Sequence, residues 1–540
     1  VTQILIIGGY GGFGARIARR LADEGWQVLV AGRSLVKAQQ FCNGRTNLTP
    51  IVLDRDHGLD DALQYYRPFA VVDAAGPFQH ASYDVAKSCI AARCHYLDIA
   101  DGRAFVAGIG ELDEAARHAG VAIISGASSV PALSGAVVRA LTRDMTDLRA
   151  VEIALSASNR ATAGVSVTRA ILSYIGQPIR IWRGRRWVVS HGWREMRRED
   201  FHVTGMRSLH RRLVALADVP DLALLPTRLD GQPSIIFRAG TELTLQNFAL
   251  AIMGWLVRRR WLRNLDRALP LLLWLQRLTA RFGSDRSGMT VRCFGRQQAL
   301  RVERRWTLIA EQGSGPEIPA LAVPVLLSKL RDGTIASGAV DAGTLLSLAE
   351  FAPAFAAMPI RHEITERQQP PSLYARVMGD GFDTLPRRVR DMHHVLRDHG
   401  TAGRAIVARG PHPLARAVAA IFGFPPAGNH ALHVSFAEHD GGETWTRDFA
   451  GRAFQSRLTQ RGTYLVESFG SLRFGFDLIG DDSGLSMHMR RWWLGALPLP
   501  LALAPRSSAR EWQADDRFHF DVPISLPLIG LIVHYRGWLA

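Results

Sequence analysis

Residues 4–14, ILIIGGYGGFG, constrain this chain more than any other stretch: an apolar run passes directly into a glycine-rich turn and then into a helix-like segment. A continuous apolar run ending in glycine, Gln3 to Ile7, suits a short strand of a parallel sheet covered on both faces. Gly9, Gly11 and Gly14 stand at GxGxxG spacing. The first permits a tight turn, the second lets the backbone approach a pyrophosphate, and the third lets the next helix pack close to the strand. Over Gly12 to Glu24, Phe13, Ile17 and Leu21 recur at i, i+4 and i+8, giving a helix with one apolar face. Its positive end would point at the pyrophosphate. A second apolar run, Val28 to Ala31, arrives at the distance a βαβ unit requires, so the stretch reads as a dinucleotide-binding unit.

The end of that second strand selects the dinucleotide. An NAD site carries an acidic residue there for the ribose 2′-OH, whereas this chain reads Ala31-Gly32-Arg33-Ser34, with Lys37 one turn on. A guanidinium clamps a 2′-phosphate through paired hydrogen bonds and a serine hydroxyl adds another, so NADP(H) is expected on Arg33, Ser34 and Lys37.

The chain has 540 residues, too many for one core, and two to four domains are expected. Its net charge of +16 comes almost wholly from arginine, since the lysines are only Lys37, Lys87 and Lys329. Four basic clusters adjoin tryptophan: Arg183 to Trp187, Arg258 to Trp261, Arg304 to Trp306 and Arg490 to Trp493. That pairing suits an anionic membrane surface, with a plainly solvated surface as the alternative. No finger or helix-turn-helix spacing supports nucleic acid. Cys42, Cys89, Cys94 and Cys293 form no CxxC pair and no metal spacing with histidine, as expected of reduced cytosolic thiols. The first strand begins at once, leaving no room for a signal peptide, and the apolar run around Leu269 to Leu275 is too short for a membrane span. A cytoplasmic protein, open to peripheral attachment at the inner membrane, is expected.

Further along, Ile51 to Leu53 reads as a third strand ending at Asp54, where a carboxylate could accept from the adenine amino group. Ala70 to Ala74 reads as a fourth, followed by Gly76-Pro77-Phe78-Gln79, which should lie against the nicotinamide half because ligands sit beyond the carboxyl ends of such strands. A helix over Ser82 to Ala92 leads to His95-Tyr96-Leu97-Asp98, and a helix over Gly110 to Ala119 leads to Val121 to Ile124. Tyr83 and Lys87 form a YxxxK, although this pair follows the fourth strand rather than the fifth, as it does in short-chain dehydrogenases. Tyr83, Tyr96 and Asp98 are the candidate proton donors, with water as a further source. Asp98 has a structural alternative as a strand-end hydrogen-bond acceptor.

The expected architecture is α/β: a Rossmann-type doubly wound parallel sheet over 1–130, an α+β substrate or dimerisation domain over 131–360, and a C-terminal unit over 370–540. Part of 333–358 could pack back on the first domain. The middle region should contain strands at Val151 to Ser158, Trp187 to Ser190, Thr290 to Phe294 and Val302 to Ile309, with a helical segment over Leu243 to Leu278. Pro370-Pro371 marks the boundary, and Ser372 to Gly400 reads as helical. From Asn429 on, eight short alternating stretches, broken by turns such as Asp440-Gly441-Gly442, predict an antiparallel barrel-like sheet. Such a sheet could enclose an apolar ligand, form a filled core, or pair two copies of the chain.

Taken in order, GGYGGFG, AGRS, AAGPFQ, HYLDIADG and SGASSVPALSG resemble the NADP-binding domain of the saccharopine dehydrogenase-like family. RDFAGRAFQS, LPLPLALAPRSSAREW and VHYRGWL resemble a domain of unknown function found fused to such reductases in bacteria. The first resemblance implies hydride transfer from NADPH, with cofactor contacts at Gly8, Gly11, Gly12, Phe13, Gly14, Arg33, Ser34, Asp54, Gly76 and Pro77; the motif reading adds Gly9, Lys37 and Phe78. Family members differ in substrate: some form the carbon–nitrogen bond of saccharopine and others reduce lipid-like intermediates. Asp101-Gly102 stands where lipid-type members often carry glycine-glutamate. The expected activity is reduction of a hydrophobic, lipid-like small molecule. The alternatives are imine reduction joining an amino acid and an oxo acid, or non-catalytic retention of NADPH by a lipid-binding protein. No metal is expected.

Overall fold

The computed structural model describes residues 2–161, 165–262, 265, 269–298 and 300–540. The N-terminal 125 residues alternate strand and helix: β1 (Gln3–Ile7), α1 (Gly14–Asp23), β2 (Gln27–Gly32), α2 (Leu35–Cys42), β3 (Leu48–Val52), α3 (Leu59–Tyr66), β4 (Ala70–Asp73), α4 (Asp84–Ala91), β5 (His95–Asp98), α5 (Arg103–Gly108), α6 (Asp113–Ala119) and β6 (Ala122–Ser125). The strands are parallel, in the order β6-β5-β4-β1-β2-β3. Ile4, Leu5, Ile6, Val30, Val71 and Leu97 are fully or almost fully buried, because helices cover both faces of the sheet. A seventh strand, Gly338–Asp341, returns from far along the chain and pairs in parallel with β6.

The middle region forms a seven-stranded mixed sheet that curls into a half-barrel. Its central strand, Thr146–Ala157, pairs in parallel with Ser234–Thr241 and antiparallel with Ser287–Gln297. The other face-to-edge strands run Arg197–Phe201 at one side and Ile360–Gln368 at the other. Within the expected helix Leu243 to Leu278, Thr244–Arg258 and Leu269–Thr279 are helical. Residues 263–264 and 266–268 lie outside the described residues.

The C-terminal sheet has eleven strands and closes through pairing of Leu472–Asp481 with Gly484–Leu494. All but the two-residue strand Leu497–Pro498 stand in the closed ring, so the unit is an antiparallel barrel. Two expectations need correction. Only Leu373–Met378 and Arg387–His393 of Ser372 to Gly400 are α-helical, and Asp398–Arg409 is a barrel strand paired with Gly428–His439 and Gly530–Leu539. A further strand, Arg506–Ala514, lies in the stretch rich in serine and arginine that the alternation pattern passes over.

Candidate dinucleotide site

At the carboxyl edge of the parallel sheet, the turn after β1 is drawn tight. Gly8 sits at φ +73°, and a Cβ on Gly14 would collide with the Gly8 carbonyl oxygen, so only glycine lets α1 approach this turn. The Gly11 amide donates to that same carbonyl at 2.8 Å. The α1 helix therefore begins over the turn with its first amides directed at the crevice, the arrangement that accepts a pyrophosphate.

Beyond β2, the Tyr10 ring lies across Gly32, where a Cβ would overlap it, and the Tyr10 hydroxyl accepts from the Ser34 amide at 3.0 Å. Ser34 caps α2 by accepting from the Lys37 amide at 3.4 Å. Arg33 and Lys37 are exposed, and no carboxylate among the described residues pairs with either. The result is a helix N-terminus flanked by an unneutralised guanidinium. Asp54 is partly exposed, accepts from the Asp56 amide at 3.3 Å and stands 3.8 Å from His57.

Past β4, Asp73 is fully buried and accepts from the Ala75 amide at 3.0 Å, while Arg55 pairs with its other oxygen at 3.2 Å. Burial raises the Asp73 carboxyl and Arg55 opposes the rise. Arg55 also donates to the Ala75 carbonyl at 3.0 Å and lies over the Phe78 ring at 5.3 Å. One cation thus pins the Ala74–Phe78 turn against the end of β3. Gln79 donates to Asp101 at 3.0 Å, and burial raises the Asp101 carboxyl. Arg55 was not singled out by sequence reasoning, although it follows the strand-end aspartate; Gln79 and Asp101 were named only as parts of motifs, without a role.

These pieces enclose a cleft of about 1590 Å³. Gly8, Gly11, Arg33, Asp54, Gly76 and Pro77 line it, and it continues to Leu172, Val257, Leu265 and Leu269 of the middle region. Phe78 is buried beneath the wall, packed on Phe105 at 5.4 Å. Gly9 packs against Val30 and the Ile6 carbonyl, and the Gly12 carbonyl accepts from Arg16. Phe13 precedes the first turn of α1.

None of the three candidate proton donors reaches this cleft. The Tyr83 hydroxyl donates to the Phe105 carbonyl at 2.6 Å, and burial, followed by the nearby Glu111 and Asp98, pushes it up to about 12. Tyr96 is fully buried in the core beneath the sheet, and burial raises its phenol far above the ordinary value. Asp98 accepts from the amides of Ala100 and Gly126 at 2.9 and 2.7 Å and from the Ser125 hydroxyl at 3.0 Å. Burial raises Asp98 to about 6 against those bonds. It holds the ends of β5 and β6 together, the structural alternative. His80 and Gln79 stand on the cleft wall itself.

The arginine–tryptophan clusters divide. Trp306 is fully buried, with Arg304 engaged by Asp144 and Glu366, and Trp493 is nearly buried. Trp261 remains exposed, beside Leu245, Phe248, Ile252 and Trp255 on the outer side of the helical segment. No helix among the described residues is long and apolar enough to cross a membrane. Among the same residues, no group of three or more metal-ligating side chains is gathered.

Residues 4–124 match the family model of the saccharopine dehydrogenase NADP binding domain, and residues 385–539 match that of a domain of unknown function, DUF4166. A search of curated proteins returned no match. Among solved structures, the chain is similar to the Bordetella bronchiseptica enzyme WbmG in complex with NAD, at 21% identity and TM-score 0.15, over 18% of this chain and 36% of that one. It is similar to serine dehydrogenase from Escherichia coli at 17% identity and TM-score 0.19, over 23% of this chain and 81% of that one. It is also similar to yvaA from Bacillus subtilis at 12% identity and TM-score 0.25, over 45% and 66%. The matched stretch spans about a third of the length of WbmG.

Proposed function

We propose that this chain, which carries a saccharopine dehydrogenase NADP binding domain over residues 4–124 and a DUF4166 domain over 385–539, is an NADPH-dependent reductase of a hydrophobic, lipid-like small molecule. The observation that carries the reading is the continuity of the cleft. One end is the glycine turn with Arg33, and the other is the apolar wall of Leu172, Val257, Leu265 and Leu269. The residues present fit a phosphorylated dinucleotide. The amides after Gly11 receive the pyrophosphate, Arg33 and the first turn of α2 receive the 2′-phosphate, and Gly76 and Pro77 bound the nicotinamide end.

Bound NADPH supplies a hydride. Arg55 fixes the Ala74–Phe78 turn so that this end of the cleft keeps its shape, and Gln79 offers an amide to a polar group of the substrate. Reduction of a polarised double bond there would also need a proton, which water or the His80 side chain on the cleft wall would supply. The apolar wall excludes water from the far end, which favours a chain-like substrate over an amino acid.

Stopped-flow oxidation of bound NADPH across a panel of enoyl and oxo lipids, and of amino acid plus oxo acid pairs, tests the reading. Oxidation by the lipid panel is expected. Oxidation by the amino acid pairs alone would replace it with imine reduction, and tight NADPH binding without oxidation by any compound would remove the enzyme reading.

A further inference from the structure

The C-terminal barrel contains a second cavity, of about 340 Å³, within the range of small-molecule sites. Its wall is almost wholly apolar, with Phe424, Phe469, Phe474 and Trp492 among the rings that form it. Arg447 stands on the wall, donating to Ser456 at 2.8 Å and pairing with Glu467 at 3.2 Å. Two donors used leave part of a guanidinium for a ligand's acceptor group.

The two ends of the barrel differ. Antiparallel register places the turns at 410–428, 449–452, 469–472, 494–506 and 526–530 at one end: Val407 faces Gly428, Phe449 faces Arg452, Leu472 faces Leu494, and Arg506 faces Ser525. At the other end, Leu373–Met378 and Arg387–His393 form a plug. Tyr374 enters the cavity wall, His393 bonds Glu511 at 2.6 Å, and Arg388 pairs with Asp516.

The opposite end, where the helix Pro413–Ile421 also packs over the barrel, is a rim of unusual chemistry for a surface. Leu414, Ile421, Leu494, Leu497, Leu501, Leu503 and Leu528 are all exposed there, Ile421 to 81% and Leu528 completely. The five turns contain no aspartate or glutamate. Arg416, Arg452, Arg473 and Arg506 are exposed on or beside the same turns, with no ion-pair partner among the described residues. Seven apolar side chains in water are unfavourable, and a ring of cations with no counter-charge repels itself. Both costs vanish where apolar side chains enter a bilayer and arginines meet anionic headgroups.

We propose that the barrel is a lipid cup: its rim seats on an anionic bilayer, and its cavity takes one single-chain lipid from that surface, with Arg447 bonding an acceptor on the chain. This site is separate from the dinucleotide cleft, so the two readings stand or fall independently.

The full chain tests it with two readouts. A dansyl-labelled undecanoate should bind and be displaced by palmitate, and Ala509→Trp, which places an indole in the cavity, should weaken it about tenfold or more. Vesicles of phosphatidylglycerol and phosphatidylcholine should carry the chain on flotation. The triple variant Leu497→Asp, Leu501→Asp, Leu503→Asp should lower the bound fraction about tenfold or more while retaining NADPH binding. Those three side chains lie in water, so this variant folds even where Ala509→Trp does not. Absence of probe binding, or flotation unchanged by the triple variant, overturns the proposal.

Discussion

The hydroxyl of Tyr10 accepts the backbone amide of Ser34 across 3.0 Å, so the glycine turn after β1 and the first turn of α2 are locked to each other. The two already share a backbone bond, from the Gly9 amide to the Ala31 carbonyl at 2.9 Å. The phenol also spans them, seated over Gly32 because that position has no Cβ. Arg33 lies between the two, its guanidinium free to face an anion.

Arg33→Ala should therefore weaken NADPH by roughly ten- to a hundredfold, the worth of charge-assisted hydrogen bonds to a phosphate. NADH affinity should barely change. Fluorescence titration with both nucleotides checks this, and equal losses for the two would move the 2′-phosphate away from Arg33.

Tyr83→Phe should keep its turnover. The hydroxyl serves the Phe105 carbonyl, and its removal leaves that carbonyl short of one bond, costing about 1 kcal/mol of stability. A thermal melt together with NADPH oxidation separates the roles: a small fall in Tm with unchanged kcat is expected. A collapse of kcat at unchanged Tm would return Tyr83 to the chemistry.

Acid should unfasten the middle sheet from the barrel. Glu152, 3% exposed, pairs with Arg397, Arg292 and Arg197 at 2.6, 2.7 and 2.9 Å. Burial pushes its carboxyl up, but Arg397 and Arg197 prevail and hold it down to about 2, below the ordinary 4.5. A depressed carboxylate stabilises the fold above its unfolded pKa, and that contribution is lost as pH falls from about 4.5 towards 2. The amount is about 3 kcal/mol. Glu152→Gln should remove this dependence, and because it takes the carboxylate from Arg397 while Arg197 and Arg292 keep Glu199, it should cost about 3 kcal/mol at neutral pH. Denaturant titrations across that pH range measure both; an acid limb that persists in the variant would assign it to other carboxylates.

The parts of this molecule legible in the sequence are those set by near neighbours in the chain. The strand, glycine turn and helix of residues 3–23 are such a case, because periodicity and glycine sterics act within one turn of backbone. The strand Asp398–Arg409 was not legible: glycine, alanine and arginine have little intrinsic preference for a strand, and its partners are 428–437 and 533–539. Tyr83, Tyr96 and Asp98 have side chains suited to proton transfer, yet burial and pairing decide their use, and both depend on residues elsewhere. Asp98, for example, is claimed by Ser125 and Gly126. Arg55 gains its place only when β3 and β4 flank β1 and β2 in the sheet.

The strand Gly338–Asp341 has a consequence for how the molecule is made. It pairs with β6, the Asp113 carboxylate accepts the Ala339 amide at 2.9 Å, and Arg228 of the middle region holds Asp341 at 2.8 Å. During synthesis, the nucleotide fold emerges first but lacks its edge strand until more than half of the polypeptide has left the ribosome. Cutting the gene after the sixth strand would therefore yield a domain with a raw sheet edge, prone to pairing with its neighbours.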